Sequence, residues 1–402
     1  MRKLGALLIV IIVAAILLAK GVAGPAEPEK VVLGVERLGE SSVASLLTGK
    51  RLGLFTNQTG VDSKLRSTVS LVRKDFNLTA LFVPEHGLLG AVPAGEAFGD
   101  TDYDGIKVFS LYGDSRRPSP KMLEKIDAMV VDIQDIGIRH YTYFSSLAYI
   151  MEECAKLDKT VIVLDRPNPL GGTMQGPVLK PEYATFIGLY AIPLRHGLTI
   201  GEFARYINKE EGINCKLEVV PMKGWKRDMI WEDTGLPWVI TSPQIPTAET
   251  AFYYGVTGVS GDSNMSVGIG TSKPFYYLGS TFAKADEVKK AMDELKIPGV
   301  AFRAAAYGSR GRVVQGVEIY LEDPRKVNLP ELDYLMLTTF RKLYPGKIKF
   351  PERGYRLPGY KIDIALGESS LREGEEPAKA FERWKKECTA FAAKAKPYFL
   401  YE

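Results

Sequence analysis

Three short segments of the chain concentrate side chains able to do chemistry: Pro84-Glu85-His86-Gly87, Asp132 to Asp135, and Asp165-Arg166-Pro167-Asn168-Pro169. Glu85 is wedged between a proline, whose φ is fixed, and a His-Gly pair that permits a sharp turn. A carboxylate held rigidly against apolar surface suits a general acid. A turn or helix N-terminal carboxylate is the plain alternative, and the local residues do not choose between the two. His86 is one of three histidines, with His140 and His196. No H-x-x-x-H or other ligand spacing joins them, so no metal site is expected. Glu96, in Ala94-Gly95-Glu96, is a second carboxylate on the same loop and a possible partner.

Asp132 and Asp135 are followed by Arg139-His140-Tyr141-Thr142-Tyr143. Acids beside an arginine, a histidine and two tyrosines have the composition of a sugar-binding cleft, where carboxylates take hydroxyls and rings stack on pyranose faces. Two plainer readings stand beside it. Asp132 can cap the next helix with Arg139 neutralising it, and Asp165 with Arg166 can be a buried ion pair. Gly268-Ile269-Gly270-Thr271-Ser272-Lys273 lacks the spacing of a phosphate loop, and no G-x-S-x-G elbow is present.

The elements that must position these residues follow from apolar patterning. Arg51–Thr56, Leu78–Val83, Ala128–Ile133 and Thr160–Leu164 are near-continuous apolar runs, as strands buried on both faces of a parallel sheet require. Between them Ser67–Lys74, Pro120–Lys125 and Tyr143–Leu157 read as helices. The alternation predicts an α/β, Rossmann-like parallel-sheet domain, residues 31–255. The three polar segments all fall at strand ends, where open parallel sheets bind ligands. A helix over Thr199–Glu210, a strand near Leu217–Val220 and a Trp-bearing stretch from Lys223 to Trp238 continue it. Past a Gly- and Ser-rich stretch, helices over Asp286–Leu295, Leu329–Leu343 and Pro377–Lys394, with a strand over Gly316–Leu321, predict a smaller α+β C-terminal domain, residues 256–402.

Hydrophobic residues make up 46% of the 402-residue chain and charged residues 25%, which is globular rather than disordered composition. Of the formal +4 charge, three positive charges lie in residues 1–24, leaving the body near neutral and arguing against nucleic-acid binding. Arg2 and Lys3 precede an uncharged apolar run from Leu4 to Ala19, and then small residues. This is the layout of a signal peptide or, if uncleaved, an N-terminal membrane anchor, with residues 25–30 as a polar linker. Either way an extracytoplasmic protein is expected. Cys154, Cys215 and Cys388 are too few and too scattered for a disulfide framework, and read as structural thiols.

Taken in order, LGLFTNQTG (52–60), PEHG (84–87), AGE (94–96), SLYG (110–113), VVDIQDIGIRHYTY (130–143), VIVLDRPNPLGG (161–172), GPVL (176–179), HGLTIGEFA (196–204), MKGWKRDM (222–229) and DTGLPW (233–238) resemble the exo-β-N-acetylmuramidase (NamZ-like) glycoside hydrolase family, from about Val31 to Tyr401. The resemblance implies an exo-acting enzyme that removes N-acetylmuramic acid from non-reducing ends of peptidoglycan fragments, in a cleft between a Rossmann-like and a smaller domain. It implies no metal and no organic cofactor. It carries the catalytic glutamate onto Glu85, with His86 beside it; a second carboxylate, Asp132, Asp135 or Glu96, would then act as base or nucleophile. Glu96, Arg139, Tyr141, Tyr143, Asp165, Arg166, Asn168, His196, Asn264 and Ser266 become substrate-binding candidates.

The chain also departs from that pattern. Where relatives read E-H-G-F-R-G it has Leu89, and where they read N-L-S-E-G-R-G-T it has Val267 and Ile269. Arginine is the residue that grips a carboxylate in two-pronged fashion. Its loss at both places points to a neutral amino sugar or another glycan as substrate. The alternative is a cell-surface protein that binds glycan without cleaving it.

Overall fold

The computed structural model describes residues 30–113, 115–309, 311–352 and 359–402. The proposed signal or anchor segment, 1–24, and nearly all of the linker lie outside the described residues. Among those described, no helix is long and apolar enough to cross a membrane.

The apolar runs become strands β1 (Leu52–Thr56), β2 (Leu78–Val83), β5 (Ala128–Asp132) and β6 (Thr160–Leu164). Every residue of β1 and β5 is buried, which is why these runs contain no alternation. Three strands join them: β3 (Thr101–Tyr103), β4 (Ile106–Ser110) and β7 (Lys216–Val220), in the order β3-β4-β2-β1-β5-β6-β7. All neighbours run parallel except the exposed edge strand β3. Leaving β3 aside, this is the doubly wound order in which the chain reverses direction between β1 and β5. That reversal opens a crevice at the carboxyl ends of β1, β2 and β5, where Asn57, Glu85 and Asp132–Asp135 follow.

The second half is α+β. Strand Tyr277–Ser280 and the long hairpin Val300–Ser309/Arg312–Leu321 form an antiparallel three-stranded sheet, which helix Ala285–Asp293 covers. Helix Ala248–Thr257 packs against helix Leu329–Leu343, and one continuous apolar core runs through both halves.

Two polar fastenings bind the halves. The buried guanidinium of Arg139 donates to the carbonyls of Pro177 and Ile192, both at 2.8 Å, and to those of Ala365 and Leu366 on helix Lys361–Leu366. At the far edge, the Tyr401 hydroxyl donates to Asp165 at 2.6 Å and accepts from the Met222 N–H at 2.8 Å. The three cysteines are buried and unbridged.

Candidate active site

The turn after β2 builds the centre of the site. The Gly87 N–H donates to the Pro84 carbonyl at 3.1 Å, closing a tight turn around Glu85 and His86. His86 takes φ +74°, a left-handed conformation that glycine normally fills. Such conformations cost about 1–3 kcal/mol and cluster at functional sites. His86 is locked there by its ring, whose Nδ1 lies 2.8 Å from the Val92 carbonyl and so carries the proton.

Glu85 is thereby half-buried at the wall of a cavity of about 420 Å3. Its Oε1 accepts the Gly95 N–H at 2.8 Å, and its Oε2 accepts the Thr142 hydroxyl at 3.0 Å. Thr142 stands at the N-terminus of helix Tyr143–Lys156 but leaves that helix uncapped and turns to Glu85 instead. The Tyr112 phenol sits against the same carboxylate; burial, then the Glu85 charge, push it up to about 12. Polar donors therefore surround Glu85, where the sequence led us to expect apolar surface.

The remaining wall is aromatic. Tyr141 meets Tyr143 edge-on at 4.7 Å and Tyr254 at 6.3 Å. All three phenols are pushed well up, first by burial and then also by the charges of Glu85 and Asp135, so they stay protonated donors. The His140 ring lies tilted against Tyr254 with centroids 4.6 Å apart, and among the described residues neither ring nitrogen has a hydrogen-bond partner. Burial and the adjacent Arg139 charge depress it to about 3, so the ring is neutral at working pH. From the C-terminal half come Asp262, Ile269, Phe275, Lys361 and Ile364.

The other expected site residues lie elsewhere. Asp132 is fully buried, and its carboxylate takes Arg166 at 2.5 and 2.9 Å together with the Thr68 hydroxyl. Arg166, not Arg139, neutralises it, and Asp132 caps no helix. Asp165 pairs with neither arginine side chain. It accepts from Thr199, Gly201 and Tyr401, and burial raises it to about 7. Asn168 shapes its own turn, accepting the Leu170 N–H and donating to the Leu198 carbonyl. Arg139 has every described hydrogen bond on backbone carbonyls, so it fastens helices rather than gripping substrate.

Tyr143 lines the cavity with its ring, while its hydroxyl is held by Asn57 and the Thr241 carbonyl, each at 2.8 Å. Asp135 and His196 form a buried couple behind the tyrosines, with His196 Nε2 3.6 Å from Asp135 Oδ1. The His196 Nδ1 accepts the Leu198 N–H, and the second Asp135 oxygen is unpartnered. Glu96 is exposed and does not line the cavity; its neighbour Gly95 reaches Glu85 through the backbone.

Asn264 and Ser266 line an adjoining cavity of about 430 Å3 that meets the first at Ile269. The Asn264 amide is taken by the backbone of Lys347 and Lys349. Leu89 is 71% exposed and outside both cavities. Among the described residues, no group of three His, Cys, Asp or Glu could hold a metal ion.

Both halves of the chain have relatives among known proteins. Residues 52–249 match the family described as exo-beta-N-acetylmuramidase NamZ, N-terminal, and residues 252–401 match its C-terminal domain. The chain belongs to the exo-β-N-acetylmuramidase NamZ family. It is 40% identical to the peptidoglycan beta-N-acetylmuramidase NamZ of Bacillus subtilis (strain 168), across 94% of this chain and 92% of that protein. Two crystal structures of DUF1343 family proteins from Bacteroides fragilis NCTC 9343 share the fold. One has a TM-score of 0.84 and 36% identity, the other 0.73 and 25%, each covering 93% of this chain and 99% of the other. Sequence reasoning counted His140 in the cleft composition but missed Tyr112, Thr142, Tyr254, Asp262 and Lys361. Tyr112 and Thr142 lie within motifs that carried the family resemblance; the last three carry no local signal.

Proposed function

We propose that this chain is an exo-acting glycosidase that releases an N-acetylated amino sugar from the non-reducing ends of peptidoglycan fragments outside the cytoplasm, with Glu85 as its acid/base. The observation that supports this reading best is the Glu85 carboxylate at the wall of an aromatic cavity, oriented by the Gly95 N–H and the Thr142 hydroxyl. The export half rests on the basic, apolar, small layout of residues 1–24.

In this mechanism the protonated Glu85 carboxyl gives its proton to the glycosidic oxygen as the bond from that oxygen to the anomeric carbon breaks. The bonding pair leaves with the oxygen. Water then adds to the anomeric carbon, and the Glu85 carboxylate takes the proton that water gives up. Among the described residues, Asp262 is the other carboxylate lining the cavity and is better placed to assist than Asp132, Asp135 or Glu96.

Glu85→Gln keeps the shape and removes the proton. Turnover of peptidoglycan fragments should fall by about 10³-fold or more, with an unchanged melting temperature. Near-normal turnover would refute the assignment. Fragment binding by the unaltered protein without product release would mean a glycan-binding protein instead.

A further inference from the structure

We propose that Lys361 receives the carboxylate of an acidic amino sugar, the lactyl group that distinguishes N-acetylmuramic acid from N-acetylglucosamine. The inference rests on the glycosidase reading and names the residue that sets its substrate class.

Among the described residues, Lys361 is the one Lys or Arg side chain that lines the Glu85 cavity. The two histidines there do not compete for an anion. His140 is neutral, and the His86 Nδ1–H is turned to the Val92 carbonyl. No described carboxylate forms an ion pair with Lys361, whereas Lys273, at the base of the neighbouring sheet, is held by Glu318 at 2.7 Å.

The placement runs against local preference. Lys361 is the first residue of helix Lys361–Leu366, the end where the helix dipole disfavours a cation. Its backbone is nonetheless fixed. The Lys361 N–H donates to the Pro351 carbonyl at 3.1 Å, Arg139 holds the last carbonyls of the helix, and the helix packs on the turn carrying Asp262. Lys361 itself is exposed. A flexible point charge suits a carboxylate on a rotatable lactyl arm. At Ile269, which lines both cavities, the wall is apolar.

The test compares nitrophenyl β-glycosides of N-acetylmuramic acid, its lactyl methyl ester and N-acetylglucosamine, using the full chain and Lys361→Gln. A charge-assisted contact predicts that the ratio of kcat/KM for the acid over the ester falls by about 10- to 100-fold in the variant, mostly through KM. Lys361→Arg should restore most of that ratio. An unchanged ratio in Lys361→Gln, or an unaltered protein indifferent to the lactyl charge, overturns the inference while leaving the glycosidase reading intact. Failure of the unaltered protein to cleave any of the three overturns both.

Discussion

Two polar clusters sit at the carboxyl edge of the same sheet, and their hydrogen bonding is opposite in kind. At the ends of β5 and β6, Asp132, Arg166, Asp165 and Asn168 are saturated by one another, by Thr68 and Thr199, and by backbone. At the end of β2, Glu85 is oriented but open to a cavity, beside a neutral His140 with no hydrogen-bond partner among the described residues. Buried polar groups are normally satisfied. A saturated cluster therefore shapes the scaffold, and the polar groups left facing space are those available to a ligand.

Substitutions can break or sharpen that contrast. Glu85→Gln is the extreme on the open side, a large loss of turnover with no loss of stability. Asp132→Ala is its mirror image. It strands Arg166 inside the protein and should cost about 3–5 kcal/mol in urea unfolding, as removal of one partner of a buried pair does. The surviving folded fraction should turn over substrate nearly normally; a stable but inactive variant would move Asp132 back into the site.

The next effect belongs to His140. Its folded-state value is about 3, below the roughly 6.5 of an unfolded chain. As pH falls below 6.5 the unfolded state therefore binds the proton first, and the contribution of the neutral ring is lost progressively toward pH 3. The unfolding free energy of the native protein should drop relative to His140→Phe by about 1.4 kcal/mol per pH unit within that window. Parallel curves would show the ring already protonated or solvated. Smallest is Glu96→Gln. An exposed carboxylate outside the cavity is screened by solvent, so turnover should change by less than about twofold.

The sheet was legible because its central strands are buried on both faces and so carry unbroken apolar runs. Strand β4 (IKVFS) was not, because Lys107 breaks its apolar run and the wholly exposed edge strand β3 precedes it. Helix Ala248–Thr257 escaped because it is buried nearly all round and has no polar stripe to give it a period. Within the site, the turn that carries Glu85 could be read from Pro84 and Gly87. Glu96 was drawn in by nearness in sequence, yet that loop contributes a backbone N–H rather than its carboxylate. Arg139 looked like a substrate grip because its residue type does not reveal that its partners are backbone carbonyls, two of them more than 200 residues away. Asp262 and Lys361 meet Glu85 only through tertiary folding, and no spacing along the chain announces them.

Tyr401 has a consequence for the order of events during synthesis. Asp165 emerges early, at the end of β6, yet the hydroxyl that completes its shell lies 236 residues further along. Until that segment arrives, a carboxylate destined for the interior keeps its water, and the β6–β7 edge stays open. That corner of the sheet half is therefore completed only after Tyr401 has been made. The Tyr401 segment folds back onto the ends of β6 and β7, strands made long before it.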